Sequence, residues 1–76
     1  MSLKIYTINN CSTCKNVMNF FNENNISFKQ FPVEEGNFEL PFSIYIYPAL
    51  VNDTKLLAYG DDIILWARTN VIKNDN

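Results

Sequence analysis

The sequence predicts an α/β domain in which a strand–helix–strand unit is followed by a hairpin and a final helix. Three observations carry this. A β-branched and aromatic run over residues 3–8 passes through Asn9-Asn10 into apolar residues at helical spacing, and a second extended run follows. Two short apolar runs flank Asn52-Asp53-Thr54, a hairpin signal. Gly60-Asp61-Asp62 then breaks the second run and opens another helix-like stretch.

Taken in order, Leu3 to Ile8 alternates as a strand bounded by the Asn pair. Cys14, Val17, Met18 and Phe21 recur at intervals of three and four, with Phe20 beside them, and predict an amphipathic helix ending near Asn24-Asn25. Ile26 to Val33 is a second strand interrupted at Pro32. A helix joining two strands in this way makes them parallel, with a right-handed crossover. Residues 34–47 are ambiguous: Glu34-Glu35-Gly36-Asn37 and the stretch around Pro41 allow a helical turn or two, and Ile44 to Tyr47 alternates like a strand before Pro48. Ala49-Leu50-Val51 and Lys55 to Tyr59 form the antiparallel hairpin. Asp61 or Asp62 caps the last helix, whose buried side is Ile63, Ile64, Trp66, Ala67 and Val71, with Arg68 near the negative end of its dipole and a tail fraying from about Asn70.

Seventy-six residues suffice for one domain over positions 1–76, and an apolar share of 47% against 18% charged is that of a folded chain. The net charge is −2, and the cations Lys4, Lys15, Lys29, Lys55, Arg68 and Lys73 are scattered singly, which argues against nucleic acid as a partner. No histidine is present, so imidazole catalysis and imidazole metal ligation are excluded. No apolar run approaches the ~20 residues that span a bilayer, and residues 1–20 lack a signal-peptide pattern. The expectation is a cytoplasmic protein with no membrane partner, in the host cytoplasm if the Asn-, Ile- and Lys-rich composition reflects a phage or virus.

The two cysteines, Cys11 and Cys14, enclose Ser12 and Thr13. A structural zinc site needs four ligands, so two thiols without histidine would have to bridge two chains. A permanent staple closing so short a loop adds little stability, and the cytosol keeps thiols reduced. A pair that opens and closes is the stronger reading. At the start of a helix, unpaired N–H groups and the dipole stabilise a thiolate, and Lys15 adds a cationic field. The effect is large: a thiol with pKa ~8.5 is about 3% ionised at pH 7, and a shift to ~6 makes it roughly 90% thiolate. Cys11 is then the exposed attacker, and Cys14, within the apolar stripe, the shielded resolving thiol.

The whole order resembles a glutaredoxin. Three features carry the resemblance in register: Cys11-Ser12-Thr13-Cys14 after the first strand, Tyr47-Pro48 before the hairpin, and Gly60-Asp61-Asp62 before the last helix. It implies a thioredoxin-like, glutaredoxin-type four-stranded mixed sheet with flanking helices, the second helix being short or degenerate. It implies a dithiol–disulfide oxidoreductase that reduces protein or glutathione mixed disulfides and needs no bound cofactor, with glutathione as co-substrate. By the same resemblance the Tyr47–Pro48 bond is cis and lies beside the cysteines. Thr13, Tyr47, Pro48, Gly60, Asp61 and Asp62 line the substrate or glutathione site, the γ-glutamyl carboxylate resting on N–H groups around Gly60 and Asp61 and its ammonium on Asp61 or Asp62. The electron donor is glutathione or a disulfide reductase, the client a disulfide-bearing protein such as ribonucleotide reductase, and the working form a monomer.

Departures from the pattern are specific. Ser12-Thr13 replaces the usual Pro-Tyr, Asn9-Asn10 stands where a lysine commonly precedes the first cysteine, and Ile46-Tyr47 and Ala58-Tyr59 replace Thr-Val and Gly-Gly. Tyr47 and Tyr59 either crowd the groove or give a protein partner an aromatic platform. The alternatives are a glutathione-independent redoxin fed by a flavoprotein reductase, and a non-catalytic module that bridges an iron–sulfur cluster or zinc in a dimer.

Overall fold

Alternation along the first strand divides its side chains between two cores. Leu3 and Ile5 point to one face of the sheet and Tyr6 to the other, where it joins a separate cluster. The computed structural model describes residues 2–36 and 43–72. Their elements are β1 (Leu3–Thr7), α1 (Ser12–Glu23), β2 (Lys29–Pro32), β3 (Ala49–Asn52), β4 (Lys55–Tyr59) and α2 (Asp62–Asn70). The four strands make one mixed sheet in the order β2-β1-β3-β4. β2 runs parallel to β1, and β3 antiparallel to both β1 and β4.

The register fixes which residues share an end of the sheet. Thr7 pairs with Pro32, Tyr6 with Ala49 and Ala49 with Tyr59, whereas Lys4 pairs with Lys29, Leu3 with Asn52 and Asn52 with Lys55. Both helices leave from the first of these ends and run back across one face. There Leu3, Ile5 and Leu50 meet Val17 and Phe21 of α1 and Ile63 and Ala67 of α2. Full burial of each larger side chain in this cluster contributes about 1.5–3 kcal/mol. On the opposite face Tyr6, Ala49 and Val51 pack with Ile44, and Phe31 stacks on Tyr6 at 5.1 Å between ring centroids.

α1 begins where Cys11, in extended conformation at the N-cap, turns the chain, and it ends in a left-handed cap. Asn25 has φ 56°, its N–H donates to the Asn22 carbonyl, and the Ile26 N–H reaches back to the Phe21 carbonyl at 2.8 Å. Ile26 is thereby committed to closing α1 and to the core, which is why β2 starts at Lys29 and not at Ile26. Pro32 is tolerated because β2 is an edge strand, and β1 stops at Thr7, leaving Ile8 outside the ladder.

The hairpin forms as expected, with Asp53 left-handed at φ 57° in its turn. One irregularity has no local signature: the register shifts between Leu50 and Val51, leaving Leu57 as the extra residue of β4. Such a bulge lets the adjacent Leu57 and Ala58 both pack on the helix-side core. Ile44 to Tyr47 is not a strand; Ile44 is held instead by burial against Tyr6. The expected short helix between β2 and β3 falls largely on residues 37–42, outside the described residues, and the described flanks 33–36 and 43–48 hold no helix. The tail does not fray from Asn70 as expected: Asn70 closes α2, and the Val71 and Ile72 N–H groups both donate to the Ala67 carbonyl while their side chains pack on the core; residues 73–76 lie outside the described residues. In α2 only Ile63 and Ala67 are buried, with Ile64, Trp66 and Val71 half-buried around them.

Candidate redox site

Everything expected at the site converges on one end of the sheet. Cys11 follows β1 by way of Ile8, Asn9 and Asn10. Pro48 immediately precedes Ala49, the β3 partner of Tyr6, and Gly60 immediately follows Tyr59, the β4 partner of Ala49. The turn before Cys11 needs a left-handed residue, which Asn10 supplies at φ 55°.

Cys11 and Cys14 are joined as a disulfide, with their Cα atoms 5.2 Å apart. The two sulfurs are unequally placed. Cys11 is half-buried at the N-cap, and its Sγ accepts a hydrogen bond from the Cys14 N–H at 3.1 Å. Cys14 is 2% exposed, on the face of α1 that carries Val17 and Phe21. The first turn of α1 has no acidic residue to oppose negative charge on Cys11. Thr13 is half-buried in that turn and Lys15 is exposed one residue after Cys14. Sulfur at the N-cap therefore meets a backbone donor and the positive end of a twelve-residue helix.

The Tyr47–Pro48 peptide bond is cis. Pro48 is fully buried, and its carbonyl accepts the Gly60 N–H at 2.8 Å, tying the approach to β3 to the start of α2. This bond removes the Gly60 N–H from the donors expected for a carboxylate, so those at the open end of α2 belong to Asp61 and Asp62. Asp61 stands at the N-cap in helical conformation, and its side chain makes no capping bond, so the expected side-chain cap at this position is absent. Asp62, in the first turn, complements the dipole instead. Tyr47 is half-buried against the Tyr6 cluster, while Tyr59 remains 39% exposed.

Two features escaped the sequence. The Asn9 N–H donates to a carboxylate oxygen of Glu34, linking the loop before Cys11 to the turn after β2, and a contact spanning 25 positions leaves no local signal. Tyr45 and Ile46, just before Tyr47-Pro48, are 87% and 54% exposed; their alternation with Ile44 and Tyr47 resembled a strand. Among the described residues no group of three or more His, Cys, Asp or Glu is arranged to hold a metal ion, and no helix is long and apolar enough to cross a membrane.

No family model matches the chain, and no curated protein matches it either. Two solved structures are similar. The thioredoxin-like protein BC3987 superimposes with a TM-score of 0.68 and 23% identity over 84% of this chain and 94% of its own. A threonine-to-alanine variant of that protein gives 0.71 and 22%, over 91% of this chain and 100% of its own. At such identities the likeness is one of fold. The chain has a thioredoxin-like fold carrying a Cys-x-x-Cys pair at the start of its first helix, a broader placement than the resemblance to glutaredoxins alone.

Proposed function

We propose that the domain is a thiol–disulfide oxidoreductase of glutaredoxin type that reduces protein disulfides through Cys11 and Cys14, electrons returning from glutathione or a disulfide reductase. The observation that carries this reading is the asymmetry of the two sulfurs, one accessible at a helix N-cap and one buried beside it.

In the reduced protein the Cys11 thiolate attacks one sulfur of a substrate disulfide. A Cys11–substrate bond forms, the substrate S–S bond breaks, and the departing thiolate takes a proton. Cys14 then loses its proton and attacks the Cys11 sulfur, forming the intramolecular disulfide and releasing the second substrate thiol. Two electrons pass from the pair to the substrate, whose two sulfurs take up two protons, one released by Cys14 and one from solvent, to which Cys11 had already lost its own. The Cys14 N–H and the dipole of α1 favour charge on Cys11 whenever it is attacker or leaving group. Burial keeps Cys14 from external disulfides and presents it only to its neighbour.

The test is a single turnover of prereduced protein against a neutral disulfide such as hydroxyethyl disulfide. The expected result is loss of both protein thiols and formation of the Cys11–Cys14 bond. Cys14→Ser should stop at a mixed disulfide on Cys11, and Cys11→Ser should not react. Failure of the native pair to oxidise, or a mixed disulfide on Cys14, overturns the reading.

A further inference from the structure

The charges of the described residues are sorted along the strand axis. At the disulfide end stand Glu34 and Glu35 after β2 and Asp61 and Asp62 at the start of α2, all exposed, against the single cation Lys15. The other end holds Lys4, Lys29 and Lys55 at or near the starts of their strands and Arg68 in the last turn of α2, against Glu23 and Asp53. Two of these cations are held by aromatic rings: Lys29 Nζ lies 5.9 Å from the Phe31 centroid and the Arg68 guanidinium 5.5 Å from that of Phe20. The described residues thus form an acidic pole at the end of the sheet that carries the accessible sulfur.

The same end gathers exposed apolar surface. Of the large hydrophobic side chains exposed among the described residues, Ile8 follows β1 and Tyr59 closes β4 at this end, Tyr45 and Ile46 come just before Tyr47-Pro48, and Leu65 lies on α2. Carboxylates and exposed tyrosine rings are groups that receive Lys and Arg side chains, by charge and by cation–π contact. Asp61 is available for this because its carboxylate is not engaged in capping. The disulfide fixes where a substrate sulfur must arrive, so any chain delivering it passes through this field.

We infer that the preferred substrate is a disulfide within a cationic polypeptide segment, Lys or Arg flanking its cysteine, and that disulfides within anionic polypeptide segments are disfavoured. The inference rests on the thiol–disulfide reading above and adds the substrate class. In each turnover the pair gives two electrons to the peptide disulfide, whose sulfurs take one proton from Cys14 and one from solvent, as already described. A charge-lined site changes association rates by factors of about 10 to 10³ between favoured and disfavoured charges, and the effect fades as salt shortens the Debye length to about 3 Å at 1 M.

The test uses three disulfide-linked peptides of equal length and identical apolar flanks, carrying net charges of about +2, 0 and −2, chosen to bracket the pole's range. Single-turnover oxidation of prereduced protein is measured with each. Every rate is divided by that peptide's rate with 2-mercaptoethanol, a neutral thiol that removes differences in intrinsic reactivity. The expected order is cationic, neutral, anionic, with a ratio of about ten or more between the extremes at low salt, collapsing towards unity at about 1 M. Glu34→Gln/Glu35→Gln combined with Asp61→Asn/Asp62→Asn should compress the same ratio. Equal or inverted rates while the neutral peptide still oxidises the protein overturn the inference and leave the redox reading standing. A preference that survives in the four-site variant overturns its assignment to these carboxylates, and no oxidation by any peptide overturns both readings.

Discussion

The backbone N–H of Cys14 donates to the sulfur of Cys11 at 3.1 Å within the disulfide, so the buried cysteine supplies a hydrogen bond to its partner. This contact and the 2% exposure of Cys14 make the two thiols chemically distinct once the bond between them is reduced. Iodoacetamide at neutral pH should label Cys11 first, by on the order of tenfold or more, as read by peptide mass spectrometry of briefly quenched samples. Faster labelling of Cys14 would reverse the assigned roles.

Gly60 tests the join between Pro48 and α2. Its φ is +56°, and a Cβ at this position would meet nothing within 4 Å. Gly60→Ala is therefore expected to cost only the left-handed backbone conformation, about 1–2 kcal/mol, with no steric addition. Urea unfolding of the disulfide form measures it. A loss well beyond this range would mean that the Gly60–Pro48 bond is also broken.

The helix-side core sets the stability scale. Phe21 is fully buried and meets Phe28 edge-on at 5.5 Å between centroids, while Ile5 is fully buried in the central strand β1. Phe21→Ala is expected to cost about 3–5 kcal/mol and Ile5→Val about 0.5–1.5 kcal/mol. For a chain of this length the first approaches the whole stability of about 4–11 kcal/mol. Denaturation midpoints of the two variants should differ accordingly, and equal midpoints would place Phe21 outside the core.

Tyr6 gives stability a dependence on alkaline pH. Burial raises its hydroxyl above the usual value of 10.0. The folded state then retains a proton that the unfolded chain loses near pH ~10, so the contribution of the neutral phenol is complete below that pH. It declines as pH rises through the higher folded value. The check is the urea midpoint of the disulfide form against that of Tyr6→Phe at pH 8 and pH 11. Relative to the variant, the native protein should lose stability at the higher pH; a constant difference would contradict the effect of burial.

The local devices of this protein were legible in its sequence because each is written in neighbouring residues. The α1 stripe of Cys14, Val17 and Phe21, the left-handed stop at Asn24-Asn25, the turn at Asp53 and the break at Gly60 are set by periodicity and backbone preference. The sulfur asymmetry belongs here too, since the stripe that buries Val17 also buries Cys14. Tertiary structure decided what depends on partners far along the chain. It held Ile26 back from β2 through the α1 cap, bulged β4 so that Leu57 joins the helix-side core, drew Ile44 out of a strand onto Tyr6, and brought Glu34 to Asn9. It also placed Glu34, Glu35, Asp61 and Asp62 at the end of the sheet that carries Cys11. Strand direction and sheet order determine which loops share an end, and no local run of residues encodes either.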